Sequence, residues 1–171
     1  AHAHGVRLLY APKQQKAVCD FVHDHAQKVV CNLVTNAIKF SKEGSEVLVS
    51  LDVGEEMLQM RVADFGSGIS QDDQQRIFEP FYQTESDKKN VGSGVGLALV
   101  KQIVSALNGS ISLVSKVGEG SVFTVRIPVK APEGVEVKSL ESLGSVPTSI
   151  LLNAESDVMP ETDCSASISE A

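Results

Sequence analysis

The 171-residue chain has no tryptophan, and its six Phe and two Tyr all precede residue 124. Its three cysteines, Cys19, Cys31 and Cys164, lack disulfide or metal-ligand spacing, which excludes a disulfide scaffold and favours a reducing compartment. No apolar run is long enough to cross a bilayer and no signal peptide is present, so the expectation is a cytoplasmic stretch without direct membrane contact. An excess of basic charge is missing too. Residues 1–131 hold 15 − 1 = 14 Lys/Arg and 22 − 8 = 14 Asp/Glu, while residues 132–171 hold Lys138 against eight acids and carry the whole net charge of −7. A neutral globular part with no basic patch interleaved with aromatics argues against nucleic acid as a partner.

What is present divides in two. Residues 1–131 are long enough for one full core, and residues 132–171, rich in Ser, Glu and Pro, bury too little apolar surface to offset their ordering entropy and read as a disordered linker or tail. "SILLNA" within the tail is at most a short docking helix. "AHAH", without an initiator Met, reads as a cut edge, so the chain is expected to be a piece of a longer protein.

From Ala26 the apolar residues Val29, Val30, Leu33, Val34, Ala37 and Ile38 recur at three and four, predicting a helix with one buried face that Asp24 caps and that ends near Phe40. "GVRLLYA" reads as a short strand. "EVLVSLDV" and "MLQMRVAD" read as strands joined by a "GEE" turn, and "DDQQRIF" as one or two helical turns stopped by Pro80. A helix is expected from about Val95 to Leu107, then a hairpin of "GSISLVS" and "SVFTVRIPV" around "KVGEG". Strands and helices mix without strict alternation, so the predicted class is α+β: a two-layer sandwich with a mixed sheet covered on one face by helices.

Three stretches carry candidate chemistry. On the first helix Lys28, Asn32, Asn36 and Lys39 fall along one stripe. Asparagine costs roughly half a kcal/mol against Ala in a helix, so two of them on one stripe suggest a use beyond a solvated face. A side-chain amide oxygen is a hard neutral ligand suited to Mg²⁺ when phosphates supply the negative charge, and a nearby lysine meets those phosphates. In "VADFGSGIS" a strand ends at Asp64, and Gly66 and Gly68 permit a turn that brings backbone close to a flat ligand. A carboxylate there accepts from an exocyclic amine such as that of adenine; the plainer reading is a β-turn with Asp at its corner. In "NVGSGVGLALVKQIV" glycines 92, 94 and 96 alternate just before a helix. A dinucleotide fingerprint would need a strand immediately before them, and "TESDKKN" stands there instead. Backbone N–H groups and the positive helix end suit a triphosphate, with Lys88 and Lys89 possible helpers from a polar lid.

In this order the segments resemble the ATP-binding catalytic domain of sensor histidine kinases, of the superfamily shared with DNA gyrase, the large heat-shock chaperones and MutL. "NLVTNAIKFS" is similar to the N box, "DFGSGI" to the first glycine box, "FEPFYQ" to the F box and "GSGVGLALV" to the second glycine box. "NGSISLVSKVGEGSVFTVRIPV" is similar to the closing hairpin, and the match runs from about Gly5 to Val129. The resemblance implies ATP and Mg²⁺ as cofactors, held between a helix layer and a flexible lid. It implies that Asn36 ligates Mg²⁺, that Asn32 and Lys39 assist at the phosphates, and that Asp64 reads adenine with Ser121 behind it. Gly66, Gly68 and Ile69 would line the base pocket. Phe81, Lys89, Gly92, Ser93, Gly94, Val95, Gly96 and Leu97 would complete the ATP site from the F box and lid.

The sequence also departs from the pattern. Val22 stands where the family often has Asp, His25 where Arg is common, and Val95 where Leu is usual, which bears on how the first helix is braced. In the gyrase and chaperone relatives a Glu four residues before the metal-binding Asn activates water; Asn32 occupies that place and is no general base. The expected reaction is transfer of the γ-phosphoryl group to a histidine. His23 in "HDHA" lacks the family's acceptor context, and with His25 makes no metal pair, since two residues apart on a helix they point to different sides. The resemblance therefore implies two partners: a dimerisation and phosphoacceptor domain of the same parent protein, and downstream a response-regulator receiver domain. A nucleotide-sensing module of the same fold without phosphotransfer is the alternative, and an ATP-driven clamp is disfavoured by Asn32.

Overall fold

The computed structural model describes residues 5–12, 23–84 and 93–130. Strand β1 (Arg7–Pro12) is followed by helix α1 (His23–Phe40) and by strands β2 (Glu46–Val53) and β3 (Met57–Asp64). A short helix α2 (Gln71–Gln74), helix α3 (Gly96–Ala106) and strands β4 (Ser110–Lys116) and β5 (Gly120–Pro128) complete the order. The five strands form one sheet in the order β1-β2-β3-β5-β4, with β1 parallel to β2 and the other neighbours antiparallel. This is the mixed sheet with helices expected of the α+β class.

Alternation explains which side of the sheet is covered. Val47, Val49 and Val53 of β2, Leu58, Met60 and Val62 of β3, and Phe123, Val125 and Ile127 of β5 are buried and fall at every second position. They meet Val29, Leu33 and Ala37 from α1 and Leu99, Val100, Ile103 and Val104 from α3, all in one core cluster. Each such Val, Leu, Ile, Met or Phe side chain contributes about 1.5–3 kcal/mol relative to exposure. The antiparallel register continues this face into a polar row, because Val47 lies opposite Asp64, Asp64 opposite Ser121, and Ser121 opposite Ser115. The end of the sheet where Asp64 sits is where apolar packing gives way to hydrogen bonding.

The sequence expectations for local structure hold with four adjustments. Helix α1 begins at His23, so Asp24 lies in its first turn and pairs with Lys28 at 3.1 Å. Val30, expected on the buried face, is 38% exposed, and its place is taken by His25, which is 2% exposed. The "DDQQRIF" helix is a single turn, Gln71–Gln74, whose N-cap Ser70 accepts from the Asp73 N–H at 3.2 Å; the chain continues in turns through Phe81. Phe78 packs edge-on against Phe123, whereas Phe81 is 56% exposed with φ of 64°. Lys88, Lys89, Gly92, Val22, Cys19, Cys164 and the acidic tail lie outside the described residues.

Candidate functional site

A cavity opens beside the polar end of the sheet, walled by α1, the end of β3 with the turn after it, residues 82–84, the start of α3 and β5. Helix α1 contributes Asn32, Thr35, Asn36, Lys39 and Phe40. These recur at three and four because the helix turns once every 3.6 residues, so the stripe seen in the sequence becomes one wall. Thr35 completes that spacing and went unnoticed because its hydroxyl carries no charge. Lys28 leaves the stripe at its far end, held by Asp24. The Asn32 amide is 6% exposed and donates through Nδ2 to the Lys28 carbonyl at 2.8 Å. A Cβ on Gly96 would come within 2.5 Å of Asn32 Oδ1, so glycine at 96 is what lets α3 start against α1.

The floor is formed by Asp64 and Ser121, neighbours across β3 and β5. Asp64 Oδ1 accepts from the backbone N–H of Gly66 at 2.9 Å and of Ser121 at 3.2 Å. Burial pushes the carboxyl above the ordinary carboxylate value, opposed by these two N–H groups and by the Ser121 hydroxyl. A carboxylate held by one oxygen at the bottom of a cavity presents the other to whatever donor enters.

Ser67, Gly68 and Ile69 form the edge beyond the floor. Gly68 has φ of +65°, and a Cβ there would lie 2.0 Å from the Lys116 carbonyl oxygen, so the loop sits directly on the β4–β5 hairpin. Gly66 does not line the cavity; a Cβ on it would meet the Phe40 carbonyl oxygen at 2.1 Å, and its N–H serves Asp64.

The last side carries Tyr82, Gln83 and Thr84 facing Ser93, Gly94, Gly96 and Leu97. The Phe81 N–H donates to the Gly94 carbonyl at 3.0 Å, which brings the two stretches together at the cavity edge. Tyr82 donates its hydroxyl to Asp73 Oδ1 at 2.5 Å, and Ser70 donates to Asp73 Oδ2 at 2.6 Å. The Ser70 and Tyr82 hydroxyls hold the Asp73 carboxyl below its ordinary value. Ile77 and Phe123 add apolar surface. Phe81 and Val95 stay out of the lining; Val95 is fully buried in the core. Thr84 escaped sequence reasoning, and Tyr82 and Gln83 entered it only within "FEPFYQ", because "YQT" carries no spacing signal of its own.

The cavity therefore combines amides and an ammonium on one wall, glycine-rich backbone at a helix start, and a buried acceptor at the floor: surfaces for an anion, for close backbone approach and for a purine-sized donor edge. The chain belongs to the histidine kinase-, DNA gyrase B- and HSP90-like ATPase family, whose model matches residues 22–131. It is similar to the sensor protein EvgS of Escherichia coli O157:H7, 34% identical over 128 residues that cover 72% of this chain and 10% of that protein. It is also similar to the sensor histidine kinase RcsC of Escherichia coli K12, 40% identical over 119 residues covering 68% of this chain and 12% of that protein. The chain thus spans about a tenth of these relatives. Among solved structures, full-length ShkA in complex with AMPPNP is 28% identical with a TM-score of 0.64 over 77% of this chain and 27% of that one. The catalytic domain of the histidine kinase ThkA shares the fold, with a TM-score of 0.66 at 22% identity over 75% of this chain and 84% of that one.

Proposed function

We propose that this chain binds Mg·ATP in the cavity and donates the γ-phosphoryl group to a histidine on a separate dimerisation and phosphoacceptor domain of its parent protein. The observation that carries the reading is the shared cavity itself: the buried Asp64 carboxylate at the floor and Asn36 and Lys39 on the α1 wall face one space. Adenine enters against Asp64, which accepts its exocyclic N–H, while Gly68 and Ile69 supply a close, partly apolar edge for the ring. The triphosphate runs toward Asn36, Lys39 and the start of α3, where Ser93, Gly94 and Gly96 allow backbone N–H groups to face charge.

The residues suit a magnesium ion that arrives with the nucleotide. Among the described residues no group of three or more His, Cys, Asp or Glu stands ready to hold a metal, so an all-protein carboxylate cage is absent there and the phosphates must supply the charge. The Asn36 amide oxygen would complete such a site. Bound there, the ion would neutralise the phosphate oxygens during transfer.

The direction of the chemistry follows from Asn32. Its amide takes no proton, and its Nδ2 is already given to the Lys28 carbonyl. Nothing at that place activates water, whereas a neutral imidazole brings its own lone pair to the phosphorus. The N–P bond forms as the bond to the ADP oxygen breaks, and Lys39 meets the charge on the transferring group. Residues 1–131 form this catalytic unit, with 132–171 an acidic tail; in the parent protein a receiver domain takes the phosphoryl group onward.

The test is to mix the chain, γ-labelled ATP and the parent's histidine-bearing domain. Acid-labile, base-stable label on that domain is expected, with little phosphate released by the chain alone. Nucleotide binding with no label on the acceptor, or sustained hydrolysis by the chain alone, would contradict the reading.

A further inference from the structure

Ser115 has no place among the residues that line the cavity, yet it joins two of its walls. On β4 it stands opposite Ser121 of β5, which stands opposite Asp64 of β3, so the three side chains form one row on the covered face of the sheet. Its Oγ accepts from the Ile69 backbone N–H at 2.8 Å and lies 3.0 Å from Ser121 Oγ and 2.9 Å from the Gly120 carbonyl oxygen. Gln74 Nε2 donates to both the Ile69 and the Ser115 carbonyls, at 2.8 and 3.1 Å.

The proton count orders these contacts. Ser115 has one hydroxyl proton and two neighbouring acceptors, the Gly120 carbonyl and Ser121 Oγ. Ser121 reaches Asp64 through its backbone N–H, which donates to Oδ1 at 3.2 Å. The Gly120 carbonyl has no proton of its own and takes that of Ser115, and Ser115 Oγ in turn accepts from the Ile69 N–H and the Ser121 hydroxyl. The Ile69 N–H and the Ser121 hydroxyl thus converge on Ser115, and the Ser121 backbone N–H runs on to Asp64.

We propose that Ser115 is a positioning residue for base selectivity: through Ser121 it fixes the Asp64 carboxylate that receives the purine 6-amino group, and through Ile69 it fixes the facing edge of the base pocket. This rests on the reading that the cavity takes ATP. Without the Ser115 hydroxyl, the Ser121 hydroxyl and the Ile69 N–H both lose their acceptor, and the carboxylate and the opposite edge are free to shift relative to each other. A role in stability alone would weaken every nucleotide equally. A role in selectivity weakens ATP more than an analogue that has no 6-amino group to place.

The experiment titrates Mg·ATP and Mg·purine riboside triphosphate into the full chain and into its Ser115→Ala and Ser115→Thr variants. Wild type is expected to prefer ATP by tenfold or more, Ser115→Ala to lose about tenfold of that ratio, and Ser115→Thr, which keeps the hydroxyl, to restore it. If Ser115→Ala does not fold by circular dichroism, Ser115→Cys carries the test, because it keeps the volume while weakening the hydrogen bonds. An undiminished ratio in the folded Ala or Cys variant overturns the role of Ser115 and leaves the ATP reading standing. Failure of wild type to bind either nucleotide removes the ATP reading and this inference with it.

Discussion

Asp64 and His25 are both buried titratable groups, and burial acts on them in opposite directions. The Asp64 carboxyl is raised from 3.8 by desolvation, so between that value and its higher folded one the native state holds more protons than the unfolded chain. Stability therefore falls as pH rises through this window, and at neutral pH the ionised group is a cost, one that the proposed nucleotide recognition would explain. Asp64→Asn keeps an acceptor for the Gly66 and Ser121 N–H groups without the charge. It is expected to stabilise the nucleotide-free chain by roughly 0.5–2 kcal/mol in urea unfolding at pH 7.5. A loss of stability in that variant would contradict this account of the carboxylate.

His25 is lowered from 6.5, chiefly by desolvation, with Asp24 opposing and Lys28 assisting. Neither ring nitrogen has a hydrogen-bond partner in the structure. The unfolded chain binds the proton first as pH falls, so the stability conferred by the neutral ring is lost on acidification from about 6.5 downward. Urea midpoints between pH 7.5 and 5.5 should fall more steeply for wild type than for His25→Leu; parallel curves would show that the ring titrates alike in the folded and unfolded chain.

At the scale of elements, close backbone approaches set what can change. Gly68→Ala would bring a Cβ 2.0 Å from the Lys116 carbonyl at a φ of +65°, so loop and hairpin must separate. A loss of about 2–4 kcal/mol is expected from chemical denaturation, and a loss below 0.5 kcal/mol would mean the loop is not seated on the hairpin. Tyr82→Phe removes the hydroxyl that Asp73 accepts. It is expected to cost about 1 kcal/mol of stability and to weaken ATP severalfold by loosening the cavity edge, which a melting curve and a titration read separately.

Most elements were legible because their signals are local. Strand composition marked β2 and β3, recurrence at three and four marked α1, and "GEE" and "KVGEG" marked the two hairpin turns. The "DDQQRIF" stretch was harder, since its Ser70 cap and the contact between Asp73 and Tyr82 decide where regular helix stops, and that contact is tertiary. Val30 was misjudged, because which residues of the apolar recurrence turn inward depends on α3 and the sheet. The α1 stripe and Asp64 stood out as polar groups in apolar surroundings. Ser115 and Tyr82 did not, because their importance lies in whom they meet across strands and turns.

For the whole molecule, the covered face of the sheet is an apolar core that ends in the row of Asp64, Ser121 and Ser115, and the cavity forms where α1, α3 and that row meet. On the proposed reading this domain binds and orients a nucleotide for an acceptor on another domain. The central claim is that one pocket joins the Asn36 amide to the Asp64 carboxylate around a single Mg·ATP. Calorimetric titration of Mg·ATP into wild type, Asn36→Ala and Asp64→Asn tests it most directly. One-site binding in wild type that weakens at least tenfold in each variant is the predicted result; affinities unchanged in both folded variants would contradict it.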